Sequence, residues 1–327
     1  MSRLFIRTEA SAQIGMGHFM RCFAVAECAQ HRDIDVTFLL STIDDTVIAR
    51  CQPLDIATES VVDFGLDIDG IRARVTSDDW LLIDSYNATA DYISTVHHAC
   101  RVAIIDDLNA LDWFDCDVLI NPAMAASRKS YAKKSNAQLL LGPAFALIRN
   151  EFRIPCQPLV AGPSVAVMFG GSDPTGLTAT VAKLVHAALP DVTVKVIAGP
   201  ANIRIAELEA LAEDLPRMRL FLSPPDMGRV LAGSDLVITA AGGSVGEVAA
   251  MGLPAMVLVV YDNQKTALEA CPFPATDIRS GLPSNLADRI AALIRLPDLR
   301  RSMGEMAHNI VDGMGAQRVV EAMFLDD

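Results

Sequence analysis

Short, almost wholly apolar segments separated by helical stretches recur along this chain, and that alternation restricts the fold more than any other feature. RLFIR (3–7), IDVTFLL (34–40), WLLID (80–84) and RVAII (101–105) read as strands, with helical stretches such as 88–100 between them. A strand that is apolar on both faces must be covered on both faces, which in practice means a parallel sheet between two helical layers. The alternation stops at RNEFRIPCQPLVAGPS (149–164), whose prolines and Gly-Pro read as a linker. It then resumes with VAVMF (165–169), a helix over 177–188, VTVKVIAG (192–199), MRLFL (218–222), DLVIT (235–239) and PAMVLVV (254–260). The expectation is an α/β protein of two Rossmann-like domains facing a cleft, with boundaries at 1–150, 151–163 for the linker and 164–327. The last apolar helix, roughly 306–325, has the option of crossing back onto the first domain. Ligands of such sheets bind at the carboxyl ends of the strands, so the loops that follow strands are where chemistry is sought.

Bulk properties narrow the partners. At 327 residues the chain is long for a single core. A formal charge of −13 argues against nucleic acid, whose binding needs clustered Lys and Arg. It leaves room for a small anion held locally by backbone amides. No apolar run approaches the ~18 residues of a membrane span, and the first nine residues carry charges where a leader would be apolar. Seven scattered cysteines without a C-x-x-C pair fit reduced thiols and offer no zinc site, so the expected setting is the cytoplasm. Nothing calls for a cofactor or a metal, and the sequence is silent on oligomeric state.

Several loops could carry function, each with a plainer alternative. Gly15-Met16-Gly17-His18-Phe19-Met20 lacks the third glycine of the dinucleotide fingerprint, which disfavours NAD chemistry. Gly171-Ser172-Asp173-Pro174-Thr175-Gly176 begins like a P-loop but has Leu177 in place of the lysine. As isolated loops, both read more readily as tight strand-to-helix turns than as ligand sites. His18 lies on the first turn of its helix, where the macrodipole disfavours a second positive charge, so a neutral imidazole could serve as base; a histidine that caps or packs is the alternative. Arg21 shares its helix face. Asp106-Asp107 and Asp84-Ser85-Tyr86 end strands; Asp107 could position a sugar and Tyr86 could face it, although turns favour aspartate anyway. Gly242-Gly243-Ser244 would let a diphosphate approach the backbone, with Glu247 one turn on to accept ribose hydroxyls. Ser244-x-x-Glu247 is equally a capping box. Asn263 and Gln264 could bind sugar hydroxyls, or Asn263 could cap the following helix.

Taken in order, IRTEASAQIGMGHFMRC, LLIDSY, IIDDL, LLGPAFALIRNEF, VMFGGSDPTG and SDLVITAAGGSVGEVAAMGLPAMVLVVYDNQ resemble the UDP-sugar hydrolases of pseudaminic acid biosynthesis. Their substrate is UDP-2,4-diacetamido-2,4,6-trideoxy-β-L-altropyranose. GGSVGE and DNQ are also similar to segments of the murein-type UDP-GlcNAc transferases. The resemblance implies the glycosyltransferase B fold and a metal-independent reaction. In it His18 is the base that activates water against the anomeric carbon, and Gly17 allows close approach. It puts Tyr86 and Asn263 near the sugar, Gly242, Gly243 and Ser244 around the diphosphate, and Glu247 on the ribose. The C1–O bond would break with inversion, releasing UDP and free sugar. The rivals are a transferase that uses another acceptor and a non-catalytic nucleotide-sugar-binding protein.

Overall fold

The computed structural model describes residues 2–10 and 16–325. It divides the chain into two compact units, Met1–Asn150 with Met314–Asp327, and Glu151–Gly313. The first unit holds seven parallel strands in the order β3-β2-β1-β4-β5-β6-β7. These are β1 Leu4–Thr8, β2 Val36–Leu40, β3 Ala57–Ser60, β4 Trp80–Asp84, β5 Arg101–Ile105, β6 Val118–Asn121 and β7 Gln138–Leu141. The second holds six, in the order β10-β9-β8-β11-β12-β13. They are β8 Ser164–Met168, β9 Thr193–Ala198, β10 Met218–Leu222, β11 Leu236–Ala240, β12 Ala255–Val259 and β13 Ala275–Asp277.

Successive residues of a strand point to opposite faces, so the apolar runs serve two layers at once. On β1, Leu4 and Ile6 enter the core built with Phe19, Phe23 and Ala26 of the first helix, Gly17–Gln30. Phe5 enters the opposite core with Tyr92, Ile93 and Val96. In both sheets the chain order reverses beside the first strand, between β1 and β4 and between β8 and β11. Such switch points leave an open crevice beyond the strand ends. In the first unit Thr8 Oγ1 donates to the Asp84 carbonyl at 3.0 Å, tying β1 to β4 at that place.

Three expectations differ from what is seen. Residues 151–163 belong to the second unit: Glu151 accepts from the Met227 amide at 2.6 Å, and the Glu151 carbonyl lies 1.9 Å from where a Cβ on Gly228 would stand. The final helix is two helices, Pro297–Ile310 and Gly315–Phe324, parted by Gly313 in the left-handed region at φ 78°. Only the second joins the first unit, burying Ala316, Val319, Val320 and Met323 in the core of the first helix, so the second unit ends at Gly313 rather than at 327. The helix expected over 88–100 runs Ala90–His97, started by Thr89 Oγ1, which accepts from the Tyr92 amide at 3.2 Å.

No helix of the described residues is long and apolar enough to cross a membrane. All seven cysteines are free thiols; burial pushes those of Cys51, Cys100 and Cys116 up to about 12.

Candidate functional site

The first helix leaves β1 at the switch point, so its opening turn stands beside the end of β4. This brings His18 to Asp84: Nδ1 and Oδ1 are 2.7 Å apart across 66 residues of sequence. Arg21, one turn on, grips the same carboxylate with Nε on Oδ2 at 2.5 Å and Nη2 on Oδ1 at 2.6 Å. Its remaining Nη1 donates to Asp107 Oδ2 at 2.5 Å. Tyr86 packs its ring edge-on to His18, centroids 4.7 Å apart, and its hydroxyl donates to Asp107 at 3.3 Å. Among the described residues nothing hydrogen-bonds the other ring nitrogen of His18, Nε2.

His18, Arg21, Tyr86 and Asp107 therefore form one cluster, and its centre is a residue not singled out as a site residue from the sequence. Asp84 is 1% exposed. Burial alone would raise its carboxyl, but hydrogen bonds and charge from Arg21 and His18 outweigh this and hold it below the ordinary range. Burial likewise works against the Arg21 charge, and the two aspartates overcome it, raising the guanidinium further. The Tyr86 hydroxyl is pushed up by burial and by Asp107. Arg21, a candidate substrate ligand by sequence, directs Nε, Nη1 and Nη2 each at an aspartate of its own chain.

The two neighbouring aspartates part company. Asp106 shapes the turn, accepting from the Leu108 and Asn109 amides and from Tyr131 Oη at 2.6 Å, while Asp107 faces the cluster. Glu9 is a further carboxylate at the same sheet edge, unnoticed in the sequence; it accepts from Ser85 Oγ and, at 3.0 Å, from Asn87 Nδ2. Gly15 lies outside the described residues. Gly17 opens the first helix with a negative φ and open space where a Cβ would stand, so nothing in the fold demands glycine there.

In the second unit the candidate loops follow β8, β11 and β12, three adjacent parallel strands, and so share one edge of the sheet. The loop containing Gly171 and Ser172 is a tight turn. Asp173 accepts from the Leu177 and Thr178 amides at 3.1 and 2.8 Å, taking two of the helix-start donors. Gly171 packs on Gly199, whose Cβ position lies 2.4 Å from the Gly171 Cα. Gly171 is itself exposed, has no positive φ and meets nothing within 4 Å at its own Cβ position, so what sets this turn apart is the side-chain cap at its helix start.

The turn after β11 is different. Gly242 and Gly243 are exposed, have no positive φ, and meet nothing within 4 Å at their Cβ positions. The fold does not require glycine at either place, whereas a group approaching the backbone from outside would. The helix begins at Ser244 with Gly243 at the cap and no side-chain cap bond, so the capping box headed by Ser244 does not form. Glu247 sits half-buried in its first turn. After β12, Gln264 Oε1 accepts from the Val260 and Tyr261 amides at 2.8 and 3.3 Å, closing the turn. Asn263 is exposed and does not cap the next helix, whose cap is Thr266. Among the described residues no group of three or more His, Cys, Asp or Glu could hold a metal ion.

No protein-family model matches the chain. An uncharacterised protein of Methanocaldococcus jannaschii is 22% identical over 275 residues, 80% of this chain and 56% of that protein, so the chain spans little more than half of that relative. The spore coat polysaccharide biosynthesis protein SpsG of Bacillus subtilis is 22% identical over 320 residues, 93% of each chain. A UDP-2,4-diacetamido-2,4,6-trideoxy-β-L-altropyranose hydrolase of Campylobacter jejuni is 23% identical over 276 residues, 81% of this chain and 94% of that one. Among solved structures, MurG of Acinetobacter baumannii aligns over 98% of this chain and 99% of its own, with a TM-score of 0.63 at 15% identity. The UDP complex of S. aureus MnaA aligns over 98% and 95%, with a TM-score of 0.66 at 11% identity. The fold is that of the glycosyltransferase B proteins, two parallel-sheet α/β domains.

Proposed function

We propose that this chain is a metal-independent hydrolase of a UDP-linked 2,4-diacetamido-2,4,6-trideoxy hexose. The observation that carries the reading is His18, held at the switch point of the first unit by a buried carboxylate, with no hydrogen-bond partner for Nε2 among the described residues. The names of two relatives, a UDP-sugar hydrolase and a polysaccharide biosynthesis protein, support the substrate class.

In this reading His18 takes a proton from water as the water oxygen attacks C1 from the face opposite the diphosphate. The C1–O bond breaks with its electron pair on UDP, and the sugar leaves with inverted configuration. Tyr86 and Gly17 border the sugar. Gly242, Gly243 and Ser244 take the diphosphate against the backbone, and Glu247 takes the ribose hydroxyls. Asn263 reaches the sugar. A diphosphate is a good leaving group already, so the protein's main task at C1 is to activate the nucleophile.

The test is UDP release from UDP-6-deoxy-diacetamido sugars in ¹⁸O-water without an acceptor. Label on the anomeric oxygen is expected, and label on phosphate would overturn C–O cleavage. General-base catalysis supplies about 10²–10⁴-fold, so His18→Ala should lose that much turnover and keep UDP binding. UDP binding without release would move the reading to a transferase that needs another acceptor.

A further inference from the structure

Asp84 ends β4, and its two carboxylate oxygens meet three nitrogens: Arg21 Nε on Oδ2, and Arg21 Nη2 and His18 Nδ1 together on Oδ1. The carboxylate is 1% exposed and cannot swing into solvent. Its Oδ2 also lies 3.5 Å from Cys22 Sγ, and its own carbonyl is pinned by Thr8. An ionised carboxylate only accepts hydrogen bonds, and a guanidinium only donates them. His18 Nδ1 therefore faces an obligate acceptor at 2.7 Å and an obligate donor, Arg21 Nη2, at 3.2 Å. If Nδ1 carried a lone pair, it would oppose the carboxylate lone pair across the shorter distance. If it carries the proton, the shorter contact becomes a charge-assisted hydrogen bond, and only the longer contact is unfavourable. The nearer partner decides.

We infer that Asp84 is a positioning residue that holds His18 as the Nδ1–H tautomer, so that Nε2 is the atom which takes the proton of the attacking water. This rests on the hydrolase reading above. In the step, a water O–H proton passes to Nε2 and the water oxygen bonds to C1. The C1–O electrons leave with UDP. The imidazolium formed is stabilised by the Asp84 carboxylate, then returns its proton to solvent. Arg21 keeps that carboxylate ionised and oriented through the step, and Asp107 orients Arg21 by engaging its free Nη1. The chain of contacts Asp107–Arg21–Asp84–His18 thus assigns one function to four residues, of which only His18 meets substrate.

The substitution that isolates this role is Asp84→Asn, nearly isosteric but able to donate to Nδ1 and so to favour the opposite tautomer. The first readout is the ¹⁵N spectrum of histidine-labelled protein at a pH where the ring is neutral, with His18→Gln identifying the His18 signals. The wild type should show a protonated Nδ1 and a lone-pair Nε2, and Asp84→Asn should move the proton to Nε2. The second readout is turnover: kcat should fall by about 10²–10⁴-fold with the Kd for UDP unchanged. A wild-type His18 protonated on Nε2 would overturn the inference. So would a folded Asp84→Asn protein with unaltered kcat. If that variant does not fold, the wild-type spectrum alone decides. Because the tautomer is read without substrate, a wild type that hydrolyses no UDP-sugar would sink the functional reading, and the spectrum would still support or overturn the tautomer assignment.

Discussion

Lys195 shows how much of this protein is settled one side chain at a time. It lies on β9 with no exposed surface, and its ammonium donates to the Val230 and Ala232 carbonyls and Ser234 Oγ at 2.9–3.1 Å. Burial lowers its pKa from 10.5 to about 8. Below both values the folded and unfolded chains are equally protonated there. Between them the unfolded chain binds a proton that the folded chain has released, so stability rises with pH across that window. Measured by urea denaturation, the stability of the wild type relative to Lys195→Met should therefore climb by roughly 3 kcal/mol from about pH 7.5 to 10.5. A flat difference would mean the amine stays charged throughout. At the same scale, His18 was legible because a histidine on the first turn after a glycine loop is chemically conspicuous. Asp84 was visible only as a strand end. Its importance comes from a partner 66 residues away, and no local pattern encodes that pairing.

Elements were legible in proportion to their burial. The five-residue strands β2, β4, β5 and β10 coincide with or lie within apolar runs of the sequence, β1 is displaced from its run by one residue, and the helix Leu177–Ala188 begins and ends where expected. β3 (ATES) and β13 (ATD) are edge strands with mostly polar, partly exposed residues, so their sequences carry no alternation to read. β6 and β7 are apolar but four residues long, too short to stand out. The glycine turns separate on a physical criterion rather than on their motif. Asp173 takes the Leu177 and Thr178 amides at the helix start after β8, whereas the helix start after β11 has no side-chain cap bond, and Gly242 there needs to be glycine for no reason internal to the fold. Gly242→Ala should thus keep stability within about 0.5 kcal/mol. It should weaken UDP binding by about 10–100-fold, the effect of ~1–3 kcal/mol of steric overlap. Unchanged affinity in titration calorimetry would remove this turn from the diphosphate site.

For the molecule as a whole, the path of the chain matters more than its order. The first unit's sheet is finished in sequence by residue 141, yet one side of its core is closed by Gly315–Phe324, which arrives only after the whole second unit has been built. Val319, Val320 and Met323 bury in one core with Phe19 and Phe23, the Phe324 ring lies tilted to Trp80 with centroids 6.2 Å apart, and Arg32 pairs with Glu321 at 2.6 Å. Gly315 is held so closely that a Cβ would stand 2.3 Å from the Ala146 carbonyl oxygen. Losing three buried side chains of this kind costs several kcal/mol. A chain ended after Gly313 should therefore lose amide-exchange protection in β1, β4 and the first helix while β8, β9, β11 and β12 keep theirs. Equal loss in both units would show that their stabilities are not separable in this way.

By itself the sequence determined that the chain is α/β with two parallel-sheet halves, and it made one histidine conspicuous, because apolar periodicity, proline and glycine act over a few residues and leave local marks. Only the tertiary structure decided that Asp84 and Arg21 orient that histidine, that Asp173 closes one glycine turn while the turn at Gly242 stays open, and that the last helix belongs with the first. Those outcomes depend on strand order at the switch point and on the return of the chain from Gly313, contacts between residues far apart in sequence that local periodicity does not encode.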